Sequence, residues 1–180
     1  MLQYNGVQTL TGLLYLIEVA TAQRHLGLIV SNRHISCYYS PEYEESVREL
    51  IPGSLVEIEG RATLDEQGEV RQIDEILNVR PVQLVPLNWR KVIHGNRRFV
   101  LRQQIQIRVN YDDGLWVHEY EPLGIISYAS SRSESLEAFR EDFAACWDLI
   151  AQEDDENLTT DAKEFKEKLL SLVDKVETFS

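Results

Sequence analysis

The apolar positions of this chain fall into runs whose spacing shifts between every second residue and every third to fourth. Residues 7–20 are rich in Leu, Ile, Val and Tyr with Gly12 inside, which predicts a long strand bent at a glycine. A polar break at 21–24 precedes a second strand at 26–30, and Ser31-Asn32-Arg33 supplies the next turn. Residues 34–39 alternate as a third strand. The period then lengthens. Ser40-Pro41-Glu42 reads as a helix start, with Ser at the N-cap, Pro in the first turn and an acid at the positive end of the dipole. Tyr43, Val47, Leu50 and Ile51 fall on one helical face, and Pro52-Gly53 ends it. Residues 55–60 alternate again, 65–68 form a turn, and 70–79 return as a fifth strand.

Three strands, a helix and a two-strand hairpin is an element order that resembles the OB-fold, a five-stranded barrel, over residues 7–82; an SH3-like barrel is the competing reading. OB-folds bind single strands or sugars on aromatic and basic side chains, and the residues in the matching place are Tyr38, Tyr39, Arg24, His25, Arg33 and His34. The bland alternative packs the tyrosines against the helix and leaves the charges in turns. Glu57, Glu59, Asp65, Glu66 and Glu69 make the neighbouring hairpin a poor phosphate surface.

Residues 83–102 hold the chain's basic cluster: Arg90, Lys91, Arg97, Arg98 and Arg102, with Trp89, His94, Pro86 and Gly95. Pro81, Pro86 and Gly95 predict a linker between domains at 1–82 and 103–180. Its cations either touch an anion or RNA, with Trp89 stacking, or pair with acids of the second domain.

Beyond it, 105–109 alternate, Asp112-Asp113-Gly114 is a tight-turn signal, and 115–120 answer as the return strand. A short strand at 124–128 leads to Ser131 and Glu134, spaced as a capping box. Leu136, Phe139, Phe143, Trp147 and Ile150 then recur at helical spacing. After an acidic stretch at 153–157, Thr159 or Thr160 caps a last helix whose stripe is Phe165, Leu169, Leu172 and Val176. That stripe either packs in cis or docks on a partner or a second copy in a homodimer. The predicted class is α+β: a small five-stranded OB-like or SH3-like barrel, then an antiparallel sheet with two helices.

The segments Tyr111-Asp112-Asp113-Gly114-Leu115-Trp116-Val117, Pro122-Leu123-Gly124 and Ser131-Arg132-Ser133-Glu134-Ser135-Leu136 resemble the HicB-like antitoxin family over about residues 103–150. Ala129 stands where that family usually has glycine, and its C-terminal DNA-binding element is not evident. The resemblance implies a reduced RNase H-like sheet without catalytic carboxylates. It also implies a protein that covers the active surface of a small, basic toxin ribonuclease.

Charge adds to this picture. The 180 residues carry a net charge of −12, with 10 Lys or Arg against 12 Asp or Glu in residues 1–100 and 8 against 18 in residues 101–180. An acidic second half repels phosphate and suits a basic protein partner; nucleic acid is the poorer fit. Cys37 and Cys146 have neither disulfide-framework nor zinc spacing, and His25, His34, His94 and His118 lack ligand-like neighbours, so neither metal nor cofactor is expected. Nucleophile-elbow, P-loop and dinucleotide signatures do not occur. With no signal-peptide pattern and no long apolar run, the expectation is a cytoplasmic, non-membrane, non-catalytic interaction protein. The expected partner surface is Asp112, Asp113, Trp116, Glu119 and Glu121, an aromatic anchor among acids. The alternative, a nucleic-acid-binding OB module, would use Tyr38, Tyr39, Arg90, Lys91, Arg97 and Arg98.

Overall fold

A computed structural model describes residues 4–19 and 22–179; Ala20 and Thr21, expected at the end of the first strand and in the break after it, lie outside the described residues. The chain divides into two compact units, Met1–Gln83 and Leu84–Ser180.

In the first unit, strand β1 (Tyr4–Glu18) serves two neighbours: its N-terminal part pairs with β4 (Leu55–Leu64) and its C-terminal part with β2 (His25–Val30). The exchange falls at Leu13, next to a register shift between Leu14 and Leu16. Gly12 sits beside it for lack of room, since a Cβ there would lie 2.7 Å from a Val30 methyl and 2.9 Å from the Ile29 carbonyl oxygen. β2 and β3 (Arg33–Tyr38) form a hairpin whose two-residue turn, Ser31-Asn32, has φ of 47° and 60°. Both values are those of a primed turn, whose twist matches paired strands.

The expected first helix is shorter than its apolar spacing suggests, a 3-10 turn (Pro41–Tyr43) followed by α1 (Glu44–Arg48). Ser40 precedes it without capping its backbone, its hydroxyl donating instead to Glu42 at 2.9 Å. Strand β5 (Val70–Pro81) pairs antiparallel with β4 and runs parallel to β3 at Ser36–Gln72 and Cys37–Ile73. The closed order β1-β2-β3-β5-β4, with the helical segment between β3 and β4, is consistent with the OB-like expectation. Leu14, Leu26, Leu28, Val56, Ile58, Ile73 and the α1 residue Val47 fill its interior.

The second unit begins with a correction. The stretch 83–102 is no linker: Leu87–His94 form strand β6, paired with the first part of β7 (Arg97–Asp112) across the Gly95 turn. Its cations had hidden the alternation. Val92, Phe99 and Leu101 point inward and are buried, while Arg90 and Lys91 stay exposed. β7 continues through a tight turn into β8 (Leu115–Tyr120), and a 3-10 turn ending at Gly124 leads to β9 (Ile125–Ala129).

Helix α2 (Arg132–Cys146) starts at Ser131, whose hydroxyl accepts from the Glu134 N–H at 3.2 Å. The reciprocal half of the box is replaced, because the Glu134 carboxylate accepts from Ser130. α2 passes into a π-helical turn (Trp147–Ala151), and α3 (Thr160–Leu172) is capped by Thr159. Val176, expected on that helix, belongs to strand β10 (Val173–Thr178) and pairs with Phe99. The four-residue step from Leu172 to Val176 satisfied a helical period, yet the free side of β7 takes Val173 and Val176 as a strand. Phe139, Phe143 and Leu169 pack on Phe99, Ile105 and Ile107, with the Phe99 and Phe143 rings edge to face at 5.5 Å. The whole is α+β: a barrel, and an antiparallel sheet carrying helices.

Candidate protein-interaction surface

The β7–β8 hairpin holds the acids expected at the partner surface. Asp113 (φ 46°) and Gly114 (φ 83°) are its two turn residues, and Asp112 stands exposed beside them. Strand alternation fixes the rest: 116, 118 and 120 point inward on β8, whereas 115, 117 and 119 point outward. Trp116 is therefore no exposed anchor. It is 3% exposed, meets Tyr111 edge to face at 5.4 Å, and carries the Arg132 guanidinium 5.4 Å above its ring. Glu119 and Glu121 share Arg108, at 2.8 Å and 3.8 Å, and line a groove of about 330 Å³ with Gln106, Arg108 and Pro122. The five predicted residues thus separate into a pair of acids at the hairpin tip, a buried ring, and two acids at the far end of β8.

What the sequence reading missed lies on the outer face next door. Register places Val117 opposite Tyr128 and Glu119 opposite Ile126. Ile126 is 53% exposed and Tyr128 66%, with Leu115 and Val117 on the adjoining strand. A signal was present: Ile125-Ile126-Ser127-Tyr128 has large apolar groups at both phases of a strand, which one buried face cannot absorb. Beside β9 an apolar groove of about 320 Å³ runs between Gly124, Ile125 and Ile126 on one side and Asp142, Cys146 and Leu149 on the other.

Behind this face lies a buried polar knot. The Ser135 hydroxyl donates to the Ser127 carbonyl at 3.2 Å, so it accepts from His118 Nδ1 at 2.8 Å. The Ser127 hydroxyl donates to the Ser135 carbonyl at 2.8 Å. β8, β9 and the first turn of α2 are tied together by these bonds. His118 Nε2 is buried without a hydrogen-bond partner. Burial, and after it the Arg132 charge, push the imidazole down to about 4, so the ring is neutral at pH 7.

The alternative residues are divided between the units, Tyr38 and Tyr39 in the first and Arg90, Lys91, Arg97 and Arg98 in the second. Tyr39 is buried in the barrel with its hydroxyl donating to the Glu18 carbonyl at 3.0 Å, and Tyr38 lies against His25 at 5.6 Å. Tyr39 is therefore a core residue and no stacking platform. The nearby Arg24 is held by Glu44, and Arg33 by Asp65 and Glu69.

In the other unit Arg97 is clamped by Asp148 at 2.5 and 2.8 Å, and Arg98 lies 3.4 Å from Glu177. The Arg97 hydrogen bond holds the Asp148 carboxyl below its usual range. Arg90 and Lys91 remain exposed, on a groove of about 500 Å³ with Trp89 and Arg140; the Arg140 guanidinium lies 5.3 Å from the Trp89 ring centre. Most of the basic cluster thus pairs with acids of its own unit.

Both cysteines are free; burial pushes the Cys37 thiol up to about 12 and raises that of Cys146, leaving neither as a thiolate at neutral pH. Among the described residues no three His, Cys, Asp or Glu converge as a metal site, and no helix is long and apolar enough to cross a membrane. No protein-family model matches the chain, and no curated protein matches it.

Proposed function

We propose that this chain is a non-catalytic, antitoxin-like interaction protein of the cytoplasm, which binds and occludes a basic partner of the toxin-ribonuclease kind. The observation that carries the reading is the outer face of β8 and β9. There Leu115, Val117, Ile126 and Tyr128 form an apolar patch facing solvent, with Asp112, Glu119 and Glu121 around it. An apolar centre rimmed by charge is the usual composition of an interface. The rim is mainly acidic, with Arg108 between Glu119 and Glu121, and residues 112–156 hold 13 Asp or Glu against 2 Arg. Such a field speeds encounter with a cationic surface and weakens as salt screens it. The HicB-like resemblance of the same hairpin points to the same class of partner. Trp116 contributes by holding the sheet and no longer as the anchor.

The test is a titration of the purified product of the neighbouring gene into the intact chain, by calorimetry at several salt concentrations. Replacing Asp112, Asp113, Glu119 and Glu121 by Lys should weaken binding and flatten its salt dependence. Equal affinity for the reversed variant would refute the reading. Exposed Arg90 and Lys91 beside Trp89 favour a second reading, contact with single-stranded nucleic acid. Anisotropy with labelled oligonucleotides at ~50 mM salt, where phosphate-driven affinity is large, removes it if no binding is seen.

A further inference from the structure

The three strands with an open side in the second unit are not protected alike. Among the described residues β6 and β10 each pair only with β7. β6 carries Arg90 and Lys91 and a register shift between Trp89 and Lys91. β10 carries Asp174, Lys175 and Glu177 and a register shift between Val173 and Lys175. Charges and irregularities of this kind are how sheets stop further strands from adding to them.

β9 has neither. Its sequence is Ile-Ile-Ser-Tyr-Ala, its register with β8 is unbroken, and among the described residues its backbone pairs with β8 alone. An unprotected edge in a sheet whose other edges are guarded is an edge kept for use.

We infer that β9 receives an extended segment of the basic partner as an additional strand, seating one apolar side chain in the groove beside it and Lys or Arg on the outer face. This rests on the basic-partner reading and specifies its mode. Side chains of an added strand alternate between two faces. On the inner side they meet the groove between β9 and the end of α2, whose Leu149 is 69% exposed and whose volume of about 320 Å³ suits a branched aliphatic group. On the outer side they pass over the Tyr128 ring, a cation–π platform, towards the row of Ile126 and Glu119, whose carboxylate also accepts from Arg108. Asp142 on the groove wall adds a second carboxylate for a neighbouring cation. Main-chain bonds would supply affinity and the alternating pockets selectivity, as in other strand-addition complexes.

The probe is a fluorescein-labelled hexapeptide alternating Lys and Val, titrated into the intact chain by anisotropy, beside a Glu–Val counterpart. Two further peptides carry N-methyl groups on alternate amides, one on the Lys set and one on the Val set. The Lys–Val peptide should bind, and the Glu–Val peptide should not. One N-methylated peptide should lose roughly tenfold or more, as two main-chain hydrogen bonds of about 1 kcal/mol each go, while the other keeps its affinity. Amides of residues 125–129 should exchange more slowly in the complex. Ala145→Phe, which fills the groove, and Tyr128→Ala, at an exposed position, should each weaken binding while the tryptophan emission stays native.

Equal binding by both N-methylated peptides overturns strand addition and leaves the basic-partner reading standing. Equal binding of Lys–Val and Glu–Val peptides, or none by either up to about 1 mM, overturns strand addition, whereas the basic-partner reading falls only if the charge-reversed variant keeps its affinity for the partner. A dimer in sedimentation that Tyr128→Lys dissociates, with no peptide bound, overturns the proposal in favour of a second copy on the same edge.

Discussion

Acid should loosen the second unit through His118. The ring is fully buried, and its folded pKa is about 4 against an ordinary value of 6.5. As pH falls through 6.5 the unfolded chain takes up a proton that the folded chain refuses, so the native state loses stability. The loss continues down to pH 4 and then stops. A shift of this size is worth roughly 3 kcal/mol, a large fraction of a small domain's stability. The physical reason is local: protonation would put a charge and a second N–H donor at the partnerless Nε2, in a buried site beside Arg132.

Trp89, Trp116 and Trp147 are the chain's three tryptophans and all lie in Leu84–Ser180, so their emission reports this unit. Urea unfolding would be followed through it from pH 7 to pH 4, for the native chain and for His118→Asn. Asparagine keeps an N–H within reach of Ser135 but does not titrate. The native chain's advantage at pH 7 should shrink by roughly 3 kcal/mol at pH 4. An advantage constant across this range would refute the argument, as would a His118 imidazole proton resonance, assigned by its loss in His118→Asn, that titrates near 6.5.

Two other outcomes follow from local geometry. Ser131→Ala removes the acceptor for the Glu134 N–H at the start of α2 and should cost about 1 kcal/mol, read from the same tryptophan transition. Gly12→Ala puts a methyl group 2.7 Å from Val30 and should cost the barrel about 1–3 kcal/mol through overpacking, read as a lower thermal midpoint in far-ultraviolet circular dichroism.

The redistribution of the predicted site has one cause, the period of two in a strand. Trp116 and Glu119 differ by three positions, an odd number, so they face opposite sides of the sheet. A reading that grouped them by proximity along the chain could not place them together in space. Arg97 and Asp148 illustrate the converse: 51 positions apart, they meet as an ion pair only because α2 folds back over the β6–β7 hairpin.

Local chemistry settled much in advance. The primed turn at Asp113-Gly114, the Ser131 cap, a threonine cap at 159 or 160, the aromatic stripe of α2 and the succession of strands and helix along the first unit all arise from short-range sterics, capping and periodicity. Such forces act within a few residues, so the sequence states them directly. Tertiary structure decided which faces were buried and which edges were paired. It drew the basic stretch into β6 and β7, because burial of Val92 and Phe99 outweighs the polarity of their neighbours. It turned the end of the last helix into β10, because β7 offered an open ladder. Among the described residues it left β9 paired with β8 alone, and a strand gains or lacks a neighbour through partners distant in sequence.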